Sequence, residues 1–307
     1  MKIAIVGCED RAEALALLIA AAGNEALAWE GRLPDLPPVV APRGVALRPS
    51  LPALTEEADL VLLDVAPGMV RGVIRAMRAG PATRIVLATR GLEFPSGKRL
   101  SRVVEEESAC LRIGALAGPI LVSEVRRRSP SALVVASRFH EVGVAASAAL
   151  MSPLCRVYPS EDLAGVELSG ALVEVVTAAL GAARGLGMGV GLQSLAVTRG
   201  IAEGGRLAAR AGGDARTFAG LAGAGELVAC VALGEHGGGT DTPGLRRGLA
   251  LARGETDPAL VACCDALIAV ERDLPITQGV RAVARGEARV ADVMAALLGR
   301  EQREELG

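Results

Sequence analysis

Residues 162–176 read DLAGVELSGALVEVV, and this stretch marks the point where the pattern of the chain changes. Upstream, short apolar runs such as KIAIV at 2–6 and LVLLDV at 60–65 alternate with helix-like segments, which predicts a doubly wound, mainly parallel sheet. Downstream, Ala-, Leu- and Val-rich segments with glycine at their ends predict helices. We therefore predict an α/β domain over residues 1–160 and an all-α domain over residues 161–307.

The composition excludes several classes of protein. Of the 307 residues, 51% are hydrophobic and 22% are charged, so the chain has enough apolar side chains to bury a large core. A formal net charge of −2 gives no electrostatic basis for binding nucleic acid. The apolar stretch 171–197 is interrupted by Glu174 and Arg184, so we predict buried helices of a soluble protein and no membrane span.

Cysteine and histidine are placed in a way that argues against a metal site. The six cysteines show no CxxC spacing, and the two histidines are His140 and His236. Thiols without a pairing pattern fit a reducing compartment, so we expect a cytoplasmic protein without metal. The expected partner is a small-molecule ligand or another protein.

The first strand leads into a turn that is similar to a dinucleotide-binding loop. Strand, turn, helix and second strand follow one another over residues 2–29, as in a Rossmann unit. The pattern G-x-G-x-x-G falls on Gly7-Cys8-Glu9-Asp10-Arg11-Ala12, in which only the first glycine is kept. Glu9 adds a side chain where a pyrophosphate would pass, and its charge opposes a bound anion. The loop therefore disfavours a dinucleotide in the usual pose.

Two charged residues follow the second predicted strand. Glu30 lies 23 residues after Gly7, where an acidic side chain would bond the adenosine ribose of NAD. A solvent-facing strand end explains Glu30 equally well. Arg32 would favour the 2′-phosphate of NADP, which Glu30 would oppose. The candidate cofactor-binding residues are thus Gly7, Cys8, Glu30 and Arg32, and the preference between NAD and NADP stays open.

Two further local predictions concern the first domain. The proline-rich segment 33–54 is predicted to contain no helix, because proline breaks helix interiors. Ala117-Gly118-Pro119 is predicted to begin a helix, with no strand between the helix at 100–109 and the strand at 132–137.

Several motifs together resemble the bacterial NAD(P)-dependent glycerol-3-phosphate dehydrogenase family. In chain order they are TRGLE at 89–93, RVY at 156–158, GVELSGA at 165–171, TRG at 198–200, TF at 217–218, GLAGAGEL at 220–227 and PIT at 275–277. The resemblance implies a Rossmann-type N-terminal domain, a 6-phosphogluconate-dehydrogenase-like all-α C-terminal domain, and an active site between them. It also implies NAD or NADP as cofactor, and hydride transfer between nicotinamide and dihydroxyacetone phosphate or glycerol 3-phosphate. We expect a homodimer.

This chain departs from the family pattern where the family's catalytic residues lie. The family helix carries its proton-donating lysine after Gly-Ala-hydrophobic, and this chain has Val173 there, followed by Glu174 instead of asparagine. The lysine of the family's Lys-Gly-hydrophobic-Glu turn is replaced by Arg90, and the aspartate of its Gly-Asp-Leu by Glu226. The candidate catalytic residues are Arg90 and Glu226, although arginine is not a practical proton donor near neutral pH.

The substrate-binding positions of the family also differ. By the spacing to later glycines, the family's Arg-Asn pair falls on Pro243-Gly244. Arg246 and Arg247 follow closely and would replace that pair, so they are the candidate substrate-binding residues. The asparagine that the family places after Gly-x-Gly-x is Gly191 here.

These replacements are selective, because scaffold motifs persist while residues that contact cofactor and substrate change. The pattern favours a non-catalytic or functionally diverged relative that senses a ligand or binds a partner. The alternative is an active dehydrogenase with a rearranged site, in which Arg90 polarises the carbonyl, Glu226 orients it, and Arg246 or Arg247 binds phosphate. A neutral or cationic substrate would suit Glu174 and Glu226. A third hypothesis is a structural subunit of an oligomer.

Overall fold

The computed structural model describes residues 1–7, 10–235 and 242–299, and its first half is built on one sheet. The strands of these residues lie in the order β3-β2-β1-β4-β5-β6-β7-β8. They are β1 Lys2–Gly7, β2 Glu25–Ala28, β3 Ala46–Leu47, β4 Leu60–Asp64, β5 Arg84–Leu87, β6 Arg112–Ala117, β7 Ser131–Ser137 and β8 Cys155–Ser160. All neighbouring strands are parallel except β6 and β7. The chain winds outward in both directions from β1 and β4, so the crevice at their carboxyl ends is the topological switch point.

Helices pack on both faces of the sheet. They are α1 Asp10–Ala21, α2 Leu51–Glu57, α3 Val70–Met77, α4 Leu100–Glu107, α5 Val122–Arg126 and α6 His140–Leu150. Because side chains alternate along a strand, Ile3 and Ile5 enter the apolar core shared with α1 and α6. Ala4 and Val6 enter the core on the other face, shared with α2, α3 and α4. The sheet is therefore buried on both faces, as its continuous apolar strands predict.

The second half is helical. Its helices are α7 Leu163–Gly185, α8 Val190–Arg210, α9 Glu226–Glu235, α10 Pro243–Ala252, α11 Pro258–Val270, α12 Pro275–Ala284 and α13 Val290–Leu298, and a π-helical turn at Leu221–Gly225 precedes α9. Within the residues described, no strand follows Ser160. The predicted fold class, a Rossmann-type sheet followed by an all-α region, is confirmed. The predicted division at residue 160 falls between β8 and α7.

Two local predictions were wrong. Residues 112–117 form β6, and the helix predicted to begin at 117 begins only at Val122. Strand β6 contains glycine and alanine, which favour strands only weakly. A Cβ at Gly114 would lie 3.0 Å from Val142 Cγ1, so this strand packs closely against α6. Pairing with β5 and β7, together with packing against α6, sets this strand. Helix α2 begins at Leu51 inside the proline-rich segment, because proline is tolerated in a first turn and Ser50 Oγ accepts a hydrogen bond from Ala53 N.

Helix α7 is the central helix of the second half. Its N-cap is Asp162, whose Oδ1 accepts a hydrogen bond from Gly165 N at 2.8 Å, while its Oδ2 accepts one from Thr217 Oγ1 at 2.6 Å. Among the helices of the described chain, α7 is long and apolar enough to cross a membrane, but 83% of its most apolar window is buried by the rest of the protein. It is therefore a core helix, and no membrane span is indicated.

Helices α7 and α10 approach each other closely through glycine. A Cβ at Gly248 would lie 2.0 Å from Ala178 O, and a Cβ at Gly181 would lie 2.3 Å from Leu245 O. Neither position has room for any side chain, because backbone atoms cannot move aside. This contact fixes α10 against α7 and thereby places the start of α10 beside the sheet.

Candidate functional site

A cleft of about 240 Å³ opens between the carboxyl ends of the sheet and the helical half. It lies at the switch point, where ligands of open α/β sheets bind. Its lining brings together Arg90 after β5, Glu174 on α7, and Arg246 and Arg247 on α10. Four residues that the sequence marked as candidates or replacements thus line one cleft, although they are up to 157 positions apart in the chain.

Glu226 joins the two halves of the protein immediately beside this cleft. Its Oε1 accepts hydrogen bonds from Arg11 Nη2 at 3.2 Å and from Gly118 N at 2.9 Å. Its Oε2 forms an ion pair with Nη2 of Arg90. We call Arg11, Arg90 and Glu226 the cleft ion cluster. Arg11 and Arg90 line the cleft, whereas Glu226 contacts them from behind without lining it.

Burial dominates the electrostatics of the cleft ion cluster. Loss of solvent raises the pKa of Glu226 to about 7, while the Arg90 guanidinium and the Gly118 N–H oppose the rise. Arg90 Nη1 lies 3.8 Å from Glu174 Oε1, and Arg90 Nε is buried without a hydrogen-bond partner among the described residues. The guanidinium of Arg90 is therefore held mainly by protein carboxylates.

The loop that carries Arg90 is fixed by a second set of ion pairs. Glu93 accepts hydrogen bonds from Arg71 Nε at 2.6 Å and Arg71 Nη2 at 2.9 Å, and the Arg71 guanidinium lowers the pKa of Glu93. Arg71 Nη2 also pairs with Glu106 at 2.8 Å. Because Glu93 faces Arg71 rather than the cleft, the glutamate of the TRGLE motif positions this loop.

Val173 does not face the cleft. Its side chain is 0% exposed and belongs to the apolar core around α7, and the cleft is lined by the next residue, Glu174. In the family pattern position 173 carries the proton donor. In this protein that position carries only apolar atoms in a dry core.

The positions that align with the family's Arg-Asn pair are part of the scaffold. A Cβ at Gly244 would lie 1.9 Å from Thr177 Oγ1 of α7, so this site has no room for asparagine. Pro243 lines the cleft but offers no polar side chain. Arg246 is exposed at the cleft, and Arg247 Nε lies 3.6 Å from Asp257 Oδ2. Both arginines line the cleft, and their role toward a substrate stays a prediction.

Of the candidate cofactor residues, the three that the structure describes do not line the cleft. A Cβ at Gly7 would lie 2.5 Å from Asp64 O, so the packing of β1 against β4 already requires glycine there. Cys8 lies outside the described residues, as does Glu9. Glu30 and Arg32 follow β2, are both exposed, and do not line the cleft. Their roles toward NAD or NADP remain predictions.

Arg11 is the residue of this site that the sequence reading missed. It lies in the first turn of α1, is 9% exposed, and donates to Glu226 and, at 3.5 Å, to Ala88 O. The helix dipole disfavours a cation in a first turn, so an arginine there within an apolar helix was the available signal.

A Rossmann-type sheet, an all-α second half and a cleft between them define the class of two-domain nicotinamide dehydrogenases and their relatives. The family models for the N-terminus and the C-terminus of NAD-dependent glycerol-3-phosphate dehydrogenase match residues 2–142 and 162–236. The chain is 35% identical to the glycerol-3-phosphate dehydrogenase [NAD(P)+] of Deinococcus radiodurans, over 98% of this chain and 96% of that protein. It is 32% identical to that of Corynebacterium jeikeium, over 99% of this chain and all of that protein. The chain belongs to the glycerol-3-phosphate dehydrogenase family.

Solved structures agree with this assignment. The glycerol-3-phosphate dehydrogenase of Coxiella burnetii superposes with a TM-score of 0.81 at 27% identity, covering 97% of this chain and 99% of that one. The enzyme of Saccharomyces cerevisiae superposes with a TM-score of 0.71 at 17% identity, covering 95% and 98%, and supports the fold alone. The names of the curated relatives state NAD(P)+ as their cofactor.

Proposed function

We propose that this protein is a non-catalytic or functionally diverged member of the glycerol-3-phosphate dehydrogenase family, whose cleft binds a small molecule or serves a protein partner. The observation that carries the proposal is the placement of Val173. Its side chain lies in the apolar core, so the position of the family's proton donor presents no ionisable group to the cleft. Loss of one positioned proton donor costs about 10²–10⁴ in rate.

The other candidate catalytic groups support the same conclusion. Glu226 has both carboxylate oxygens engaged, one by Arg11 and Gly118 and one by Arg90. Arg90 itself is not a proton donor near neutral pH. A carbonyl substrate in the cleft would meet a guanidinium already held by carboxylates. We expect the cluster to hold the two halves of the protein together rather than to move a proton.

We base the expected compartment and oligomeric state on membership of the family. We infer a cytoplasmic homodimer without metal, acting beside glycerophospholipid metabolism as a sensor or partner rather than as a producer of glycerol 3-phosphate. Five described cysteines are free and buried, which fits a reducing compartment. Size-exclusion chromatography with light scattering tests the dimer, and a monomer at micromolar concentration would contradict it.

The test of the proposed function is an assay of dihydroxyacetone phosphate reduction with NADH and with NADPH. The enzyme of Deinococcus radiodurans is the positive control. We expect this chain to show no substrate-dependent oxidation of either cofactor, at a sensitivity of about 10⁴-fold below the control. Turnover within about 100-fold of the control would establish the alternative, an active dehydrogenase that uses Arg90 and Glu226 in a rearranged site.

Val173→Lys is the companion variant, and we expect it to destabilise the fold without restoring turnover. Burial in an apolar core lowers the pKa of an isolated lysine by about three to five units, so at pH 7 the cost of ionisation should reduce the free energy of unfolding by roughly 4–5 kcal/mol. Urea unfolding measures this loss, and Val173→Leu is the matched apolar control. A stable Val173→Lys variant that reduces dihydroxyacetone phosphate would overturn our interpretation of position 173.

A further inference from the structure

Several side chains of this cleft lie where a dinucleotide would cross a Rossmann sheet. In this fold the pyrophosphate lies at the loop after β1, and the cofactor crosses the crevice at the switch point. The nicotinamide half must then pass the carboxyl ends of β4 and β5 to reach the second domain. In this protein Arg11, Asp64, Ala88 and Arg90 line that part of the crevice.

Arg11 spans this crevice. It begins on α1, directly after β1, and its guanidinium donates to Ala88 O, beyond β5, at 3.5 Å. Because β4 lies between β1 and β5, the Arg11 side chain crosses the carboxyl end of β4. On the far side the same guanidinium meets Glu226 of the helical half at 3.2 Å. The Arg11 side chain thus runs from the start of α1, across the carboxyl end of β4, to the helical half of the protein.

The connection is buried and held from several directions. The side chains of Arg11, Arg90 and Glu226 are 9%, 12% and 4% exposed, and Gly118 N donates to the same carboxylate. Separating a buried ion pair leaves charges that neither water nor another side chain compensates. A ligand that has to displace Arg11 must therefore replace these contacts with its own.

We propose that the cleft ion cluster closes the nicotinamide half of the dinucleotide path, so that the cleft admits a small polar molecule but not an intact NAD(P). This inference rests on the proposed function, because it names the class of ligand for the same cleft. The residues present do not fit the family's cofactor in its usual position. The space that remains beside the cluster is about 240 Å³, below the range of about 300–1,000 Å³ typical of ligand sites.

The test is a pair of binding titrations on the full chain at pH 8, with NADH and with AMP as probes. AMP carries the adenosine half, which does not reach the cluster, and NADH carries both halves. Arg11→Ala opens the crossing, and Arg11→Met opens it while keeping an apolar stem that packs. Arg99→Ala is the matched control, because Arg99 also forms an ion pair between the two halves of the protein, with Glu167 at 3.2 Å, but does not line the cleft.

We expect Arg11→Ala and Arg11→Met to bind NADH at least tenfold more tightly than the wild type, with AMP affinity unchanged within twofold. Arg99→Ala should change neither. Circular dichroism and melting confirm that each variant is folded, and either Arg11 variant suffices if the other is not. An NADH affinity that stays equal or falls would overturn the proposal, as would a parallel gain for AMP, because that gain would place the obstruction outside the nicotinamide half.

The result of this binding test can be distinguished from the result of the activity assay that tests the proposed function. Wild-type turnover would refute the proposed function and, because it requires NADH or NADPH in the cleft, the closed path as well. If the wild type is inactive and Arg11→Ala gains no NADH affinity, the proposed function stands and only the closed path is refuted.

Discussion

Two buried glutamates connect the helical half of this protein to its sheet, and they are bound in different ways. Glu167, in the GVELSGA motif of α7, accepts hydrogen bonds from Ser101 N at 2.7 Å and Ser101 Oγ at 2.6 Å, and it pairs with Arg99. Its carboxylate therefore satisfies the N-terminus of α4, where an anion is favoured. Glu226 instead meets two guanidiniums and one amide at the edge of the cleft.

The two glutamates differ in how they relate to the family pattern. Glu167 matches the family motif, and each of its donors is local and specific to the joint between α7 and α4. Glu226 replaces an aspartate, and its partners include an arginine from the nucleotide loop. The first contact is a joint between α7 and α4, and the second lies at the edge of the candidate site.

The largest effect that would test this contrast is expected from Glu167→Ala. The substitution leaves the Ser101 amide and the Arg99 guanidinium without their buried partner, so the free energy of unfolding should fall by about 3–5 kcal/mol. Urea denaturation measures the change. Asp292→Ala, which removes an exposed ion pair with Arg289, is the control and should cost far less, because water screens exposed charges. Equal losses in the two variants would show that Glu167 is not a structural joint.

An intermediate effect is expected where α7 meets α10. Gly248→Ala places a methyl group 2.0 Å from Ala178 O, so the helices must separate, at a cost of about 1–3 kcal/mol. Gly191→Ala is the matched control, because Gly191 is also helical and has no neighbour within 4 Å of its Cβ position. That control should gain up to about 1 kcal/mol from helix propensity. Thermal melting of both variants decides the matter, and a stabilised Gly248→Ala would contradict the close contact.

The smallest effect concerns pH and Glu226. The pKa of Glu226 is about 7 in the folded protein, above its ordinary value of 4.5. Glu226 therefore contributes its full stability below pH 4.5, where it is neutral in both states. This contribution is lost as the pH rises through 7. Glu226→Gln is never ionised and lacks this loss. Its stability relative to the wild type should rise by about 1 kcal/mol between pH 5 and pH 8, since Arg11 also offsets part of the burial. Urea unfolding at both pH values measures it, and a relative stability that falls with pH would show that the arginines outweigh burial.

Much of the fold was predictable, because it depends on periodicity. The apolar runs at 2–6 and 60–65 gave β1 and β4, and the glycine-bounded segments after 162 gave the helices. Strand β6 was missed because Gly114 and its alanines carry little strand signal, and the extended backbone there depends on pairing with β5 and β7 and on packing against α6. Helix α2 was missed because a proline in a first turn looks, in sequence, like a helix breaker.

The site was predictable in its members and less so in its geometry. Motif spacing gave Arg90, Glu226, Arg246 and Arg247, which the structure places in or beside one cleft. Arg11 was not found, because its importance depends on a partner 215 positions away along the chain.

The close approach of α7 and α10 has a consequence for the engineering of this protein. With no room at Gly244, the substrate site of the active relatives cannot be rebuilt there by exchanging one side chain. The helix would first have to shift outward, and every intermediate on that route would lose packing before it gained a function. Attempts to place the family's Arg-Asn pair in this protein should therefore begin with the spacing of these helices, before any other residue is exchanged.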